Sequence, residues 1–148
     1  MTDKNTQEQK QRIIHETVEE FYALATSDFL IGHQFRKIQA YESINPLRPP
    51  LEAFRHHLPR INEFWELQLL GLRPQGGVQA VDLIGVHKKL QIRKGELGRW
   101  VKLFEEILEQ KTTKYPDYQE FIKEWHTKIK LFEQRFLKTP SLFSQVPD

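Results

Sequence analysis

The chain of 148 residues contains no cysteine and a single methionine, Met1. The absence of cysteine excludes disulfides, thiolate metal ligands and cysteine nucleophiles. The absence of any internal methionine excludes a thioether ligand. If the chain holds a metal or a metal-containing cofactor, histidine, tyrosine or carboxylate side chains must therefore hold it.

Long apolar runs and blocks of one charge are also missing. No stretch of about eighteen apolar residues occurs, which argues against a membrane-spanning helix, and the initial "MTDKNTQEQK" lacks the apolar core of a signal peptide. The 22 basic and 20 acidic residues are interspersed, so the formal net charge is only +2. Without a polybasic block, nucleic acid and anionic membranes are poor partners. We expect a cytoplasmic protein that binds neither.

The common catalytic signatures are absent as well. None of the six histidines belongs to an HExxH pair, no serine is flanked by glycines as in GxSxG, and no glycine-rich phosphate loop follows a strand. The neighbours His56 and His57 should point about 100° apart on a helix, His57 at the edge of the apolar face and His56 towards solvent. We therefore expect that these two histidines do not share a metal ion.

What the sequence does contain is apolar residues at helical spacing, while no alternating strand pattern persists. Helices are predicted around residues 14–25, 28–35, 51–69, 78–87, 97–108 and 118–136. The proline-rich "INPLRPPL" at 44–51 predicts a loop, Pro59 predicts a kink or split in its helix, and Tyr115-Pro116 predicts a break. The pattern indicates an all-α protein with one domain at 11–137, a polar tail at 1–10 and a second tail at 138–148.

Four residues with polar tips lie on the predicted apolar faces: Tyr22, His57, His87 and Trp100. Taken singly, each is more often a core residue whose polar atom is bonded to the backbone than a ligand or a donor. His87 ends the apolar run in "VDLIGVHKKL", and a buried imidazole needs a partner for its nitrogens because unpaired burial is costly. That partner is either a backbone carbonyl or a metal.

The sequences around these four residues together resemble truncated haemoglobins, most closely the third group of that family. The segments that carry the resemblance are "EEFYALATSDFLIGHQF", "FRHHLPRINEFW", "LIGVHKKL" and "GRWVKLFEEIL", in the family's order and spacing. It covers roughly residues 10–136. The resemblance implies a single-domain, two-over-two helical sandwich around haem b, which binds dioxygen or a related diatomic ligand.

The resemblance also implies which residues hold the haem. His87 would bind the iron, with Leu83 and Ile84 against the porphyrin on the same helical face. Phe35 would stack on the haem, and Phe64 would contact it. The cationic residues expected to reach the haem propionates are Arg93 and Lys94, together with Lys88 and Lys89.

On the ligand side of the haem, the resemblance implies that Tyr22 and Trp100 donate hydrogen bonds, with His57 as a gate or weak donor. Donors to a partly anionic ligand are worth about 1.5–3 kcal/mol each, which slows release of the ligand. A site that holds its ligand so firmly suits sensing or redox chemistry, such as nitric oxide dioxygenation or peroxidase-like activity, better than carriage. We expect a monomer served by a reductase, whose identity the sequence does not indicate.

Two other interpretations stay open. One is a haem-free helical interaction domain on a globin-like scaffold, for which the aromatic last helix offers a docking surface. The residues of that surface are Phe121, Trp125, Phe132 and Phe136. The other, weaker interpretation is a non-haem metal-dependent enzyme that uses histidines and carboxylates.

Overall fold

Helices make up nearly all of the regular structure in the described part of the chain. The computed structural model describes residues 2–73, 90–140 and 143, with side chains from residue 6 onward. Its α-helices are α1 (Thr2–Ala25), α2 (Gly32–Tyr41), α3 (Pro50–Phe54), α4 (Leu58–Leu70), α5 (Lys94–Lys114) and α6 (Gln119–Leu137). Within the described ranges the strand-like pairing is one isolated parallel bridge between Ile92 and Phe143. The prediction of an all-α fold is confirmed.

Prolines set several of the helix boundaries. The predicted helix at 51–69 is divided into α3, a single 3₁₀ turn at Arg55–His57, and α4. Pro59 lies in the first turn of α4, where its missing N–H costs nothing because that N–H would have no partner inside the helix. Pro50 begins α3 and Pro116 begins a second 3₁₀ turn at Pro116–Tyr118. The predicted split at Pro59 and the predicted break at Tyr115-Pro116 are confirmed.

One aromatic core joins the long helices into a single domain. Helix α1 packs against α4 and α5, and α5 packs against α6. Phe21 of α1 contacts Phe104 of α5 with ring centroids 4.6 Å apart. Trp65 of α4 and Trp125 of α6 each approach Phe104, at 5.9 and 5.5 Å. All four side chains are buried, so these helices cannot separate without exposing them.

The segments predicted as tails, 1–10 and 138–148, both include residues that belong to the folded structure. Helix α1 begins at Thr2, so the polar residues before position 11 belong to a helix that extends beyond the core. The first fully buried side chains on α1 are Ile13 and Ile14, which explains why no apolar stripe marks the earlier turns. At the other end, Phe143 is buried and bridges to Ile92. Part of the C-terminal segment therefore packs on the core.

The aromatic face of α6 turns inward, contrary to the expectation of a docking surface there. Trp125 is fully buried, and Phe121 and Phe136 are each only 6% exposed. Phe132 is partly buried against the same core. The aromatic residues of the last helix hold α6 on the domain, because their apolar area is covered by α4 and α5.

None of the helices in the described ranges is long and apolar enough to cross a membrane.

An ion cluster around the buried Lys111 ties α1 to the end of α5. The Lys111 ammonium donates hydrogen bonds to Glu16 Oε1 at 2.7 Å and to Glu20 Oε2 at 2.6 Å. Lys114 also donates to Glu16 Oε1, and the Tyr115 hydroxyl donates to Glu16 Oε2 at 2.5 Å. Burial alone would raise the pKa of Glu16, but these hydrogen bonds outweigh it and lower the pKa from 4.5 to about 2.

The Glu16 cluster predicts a specific loss of stability in acid. Because the folded-state pKa of Glu16 lies below its ordinary value, its contribution is complete above about pH 4.5 and is lost as the pH falls towards 2. The wild-type melting temperature should therefore fall more steeply over this range than that of Glu16→Gln, whose amide does not titrate. Thermal unfolding followed by circular dichroism at stepped pH measures both slopes. Equal slopes would contradict the assignment.

Candidate functional site

Part of the predicted haem site lies outside the described residues. The predicted iron ligand His87, the porphyrin contacts Leu83 and Ile84, and the predicted helix at 78–87 all fall in the range 74–89. The described chain ends at Arg73 before this range and resumes at Leu90 after it. The remaining predicted site residues are described, and their positions can be compared.

Three of the predicted site residues meet in one group of rings, which we call the Tyr22 cluster: Tyr22, Phe35, Phe54 and His57. The ring centroid of Tyr22 lies 5.9 Å from that of Phe35 and 5.1 Å from that of Phe54. The ring of His57 lies 4.7 Å from Phe54. The members come from α1, α2, α3 and the 3₁₀ turn that follows it. Phe54, at the centre, lies within the predicted helix at 51–69 but is not among the predicted site residues.

Trp100 joins the cluster through Phe21. Phe21 lies edge-on to both neighbours, 4.8 Å from Tyr22 at 85° and 5.5 Å from Trp100 at 79°. Tyr22 and Trp100 are partly buried against the core. The structure therefore brings the two predicted donors, which are 78 positions apart in the sequence, into contact with one buried phenylalanine.

The polar tips of Tyr22 and Trp100 are available as donors within the described part of the chain. Burial holds the pKa of the Tyr22 hydroxyl well above its usual range, so the phenol keeps its proton. Indole can only donate through its N–H. Among the described residues, no hydrogen-bond partner occupies Tyr22 Oη or Trp100 Nε1. Both groups can therefore donate to a ligand.

An ion pair fixes the orientation of α5 relative to α1 and α2. Asp28, in the turn between α1 and α2, accepts hydrogen bonds at Oδ1 from Arg99 Nε at 3.1 Å and Nη2 at 2.7 Å. Its Oδ2 accepts the N–H groups of Leu30 and Ile31. The bond from Arg99 lowers the pKa of Asp28 most. Because Arg99 precedes Trp100, this pair holds the helix that presents Trp100 against the turn that follows Tyr22.

Phe64 lies in a different part of the core from the Tyr22 cluster. It projects from α4 and contacts Trp65 at 5.0 Å and Phe132 of α6 at 5.7 Å between ring centroids. The described ring contacts of Phe64 thus point towards α6. Those of Phe35 point towards α1 and α3.

The cationic residues predicted to reach the propionates lie at the start of α5. Arg93 and Lys94 are exposed, and the Arg93 backbone N–H donates to Glu96 Oε1 at 2.7 Å. The Lys94 ammonium lies 5.9 Å from the centroid of the Phe143 ring. Lys37 of α2 donates a hydrogen bond to the carbonyl of Leu90, where the described chain resumes. The sequence alone does not indicate that Lys37 belongs to this group of cations, because it is one of many cations on amphipathic helices.

The prediction that His56 and His57 point apart is wrong. The two residues form the 3₁₀ turn rather than a turn of α-helix, and their ring centroids are 4.1 Å apart. Both turn towards Glu42 at the end of α2, with His57 Nε2 at 2.8 Å from Oε2 and His56 Nε2 at 3.4 Å from Oε1. We call these three residues the Glu42 triad. Helical periodicity does not predict that Glu42 lies beside His56 and His57, which are 14 and 15 positions later in the sequence. The contact arises because α2 packs on α3.

Comparisons of this chain with protein-family models, with curated proteins and with solved structures found no match. Its function must therefore be inferred from its own residues.

Proposed function

We propose that this chain binds haem b through His87 and holds dioxygen or a related diatomic ligand at that haem, in a two-over-two globin arrangement. The observation that carries the proposal is that Tyr22 and Trp100 both contact Phe21, with centroid distances of 4.8 and 5.5 Å. Their donors have no hydrogen-bond partner among the described residues. Two donors with no partner among the described residues, beside an apolar cluster, fit a ligand that is small and partly anionic.

The described residues next to His87 also fit this role. Three peptide units separate His87 from Leu90, a span of at most about 11 Å. The Leu90 carbonyl accepts a hydrogen bond from Lys37, and Lys37 shares α2 with Phe35. Leu90, where the described chain resumes after His87 in the sequence, therefore lies beside the helix that carries the proposed stacking ring. The cations Lys37, Arg93 and Lys94 occupy the same neighbourhood, where carboxylate groups of a cofactor would find partners.

Haem iron, when bound, supplies a coordination position for a diatomic ligand. The chain's part is to donate hydrogen bonds to that ligand and to limit access by water. Tyr22 is a protonated donor because burial raises its pKa, and Trp100 donates through its indole N–H. His57 is already bonded to Glu42 at 2.8 Å, so in this proposal it acts as a gate rather than as the main donor. Two donors that slow release favour sensing or redox chemistry, with electrons from a reductase, over carriage.

Haem titration of the purified full-length protein tests the proposal. We expect one haem per chain, seen as a saturable visible absorption band, and a higher melting temperature because a ligand bound only by the folded state stabilises it. His87→Ala should abolish stable incorporation. His33→Ala and His126→Ala are matched controls, since both histidines are at least partly exposed and paired with a glutamate, and both should keep the haem. Full haem retention in His87→Ala with an unchanged spectrum would refute the proposal.

A haem-free interaction domain is the second candidate, and one observation favours it. The rings of the Tyr22 cluster already contact one another, with centroids 4.7 to 5.9 Å apart, so the cluster packs without a cofactor between its members. This candidate predicts no saturable haem binding and equal melting temperatures with and without haem. The same titration therefore separates the two functions.

A further inference from the structure

We propose that the Glu42 triad is a surface site for Zn²⁺ that borders the proposed haem site and shares only His57 with it. Glu42, His56 and His57 each offer one ligand atom, and these atoms all lie within 4.8 Å of one another. Within the residues that the structure describes, this is the one group of three or more such side chains that comes this close together. The proposal does not depend on haem binding, and His57 is the only residue common to both sites.

The distances are close to those of a tetrahedral zinc site. Zinc–nitrogen and zinc–oxygen bonds of about 2.0–2.2 Å place neighbouring ligand atoms roughly 3.4 Å apart. His56 Nε2 lies 3.4 Å from Glu42 Oε1, and His57 Nε2 lies 2.8 Å from Oε2. No two of the three ligand atoms are more than 4.8 Å apart, a limit that exceeds the tetrahedral value by little more than 1 Å. Small side-chain rotations would bring all three atoms onto one ion.

The ligand types select the class of metal. Two imidazoles and one carboxylate suit Zn²⁺ and its transition-metal neighbours, whereas Mg²⁺ and Ca²⁺ prefer oxygen ligands. Three protein ligands leave a fourth position for water, as in zinc sites that stay open. The exposed fractions of the side chains, 55% for His56, 29% for His57 and 33% for Glu42, allow an ion to enter from solvent.

The triad is held in place before any metal arrives. His57 packs its ring on Phe54 at 4.7 Å, and Glu42 is the C-cap residue of α2. Arg55, which precedes the histidines, is paired with Glu19 at 2.7 Å. Its positive charge is therefore compensated by a carboxylate outside the triad, and Glu42 is left to the two histidines. Preorganised ligands lose less conformational entropy on binding, which favours a defined site over adventitious contacts.

The chain provides matched controls for the test. His15, His33 and His126 each pair with one glutamate, at 3.5, 2.8 and 2.5 Å. Each of these pairs reproduces the exposed histidine and the carboxylate but lacks the second histidine. If two imidazoles are needed, removing one of these control histidines should leave zinc binding unchanged.

Equilibrium dialysis of the full-length protein against Zn²⁺, followed by metal analysis, tests the proposal. We expect one saturable zinc per chain and no binding of Mg²⁺ at the same concentration. His56→Ala and Glu42→Gln should each weaken zinc binding by at least about a hundredfold, since loss of an outer partner alone costs about 10–100-fold. His126→Ala should bind as wild type. Circular dichroism verifies that the exposed substitutions leave the fold intact.

Three outcomes would overturn the zinc site: no saturable zinc on the wild type, unchanged affinity in both triad variants, or equal weakening in His126→Ala. Binding that survives in the triad variants and disappears in His87→Ala would place the metal elsewhere and also refute the site. His56→Ala and Glu42→Gln remove neighbours of His57 but leave His87, Tyr22 and Trp100 in place, so the haem stoichiometry of the same variants reports the haem proposal separately.

Discussion

Tyr22→Phe should release dioxygen from the haem-loaded protein about ten to a hundred times faster than wild type. The substitution keeps the ring that contacts Phe35 and Phe54 at 5.9 and 5.1 Å and deletes only the hydroxyl. A hydrogen bond to an anionic acceptor is worth about 1.5–3 kcal/mol, and about 1.4 kcal/mol corresponds to tenfold. Stopped-flow displacement of dioxygen by carbon monoxide measures the rate.

Two controls make the Tyr22 result specific. Release of carbon monoxide should change little, because its bound form carries less charge and gains less from a donor. Tyr41→Phe removes a hydroxyl from a tyrosine that is 67% exposed and should leave both rates unchanged. If Tyr22→Phe releases dioxygen no faster than wild type while His57→Leu releases it much faster, the main donor is His57 rather than Tyr22.

Lys111→Met should lower the free energy of unfolding by about 2–3 kcal/mol. Removing one partner of a buried ion pair typically costs about 3–5 kcal/mol because the other charge is left uncompensated. The Lys111 side chain is only 3% exposed, but those of Glu16 and Glu20 are 21% and 40% exposed, so water takes over part of the compensation. For a chain of this length the melting temperature should fall by roughly 5–10 °C.

Lys102→Met is the matched control for Lys111→Met. Lys102 is exposed on the same helix, α5, so its replacement should change the melting temperature by about 1 °C or less. Urea unfolding of both variants gives the free energies directly. A Lys111→Met protein as stable as the control would show that the cluster of Glu16 and Glu20 does not hold α1 against α5.

The candidate site was predictable where it depends on residues that face the core. Tyr22 and Trp100 both lie on apolar faces of helices, and such residues are driven to the interior, where both contact Phe21. Phe35 was predictable for the same reason, and its ring contacts that of Tyr22. Phe64 satisfies the same periodicity but packs towards Phe132 instead. Helical spacing indicates that a side chain is buried, yet it does not indicate which of several aromatic neighbours it meets.

The sequence by itself determined that the described chain is helical and where prolines bound its helices, but not every helix end, since α1 begins at Thr2 and α2 spans Gly32–Tyr41. Apolar spacing of about 3.6 residues and the missing N–H of proline act locally, so α4 begins beside Pro59 and α5 ends before Pro116 whatever surrounds them. Only the tertiary structure decided which polar residues are paired. Glu42 meets His56 and His57 because α2 packs on α3, and Lys111 is buried because α1 covers it with Glu16 and Glu20. Charged side chains at solvated positions carry no periodic signal, since their partners are chosen by packing between distant helices.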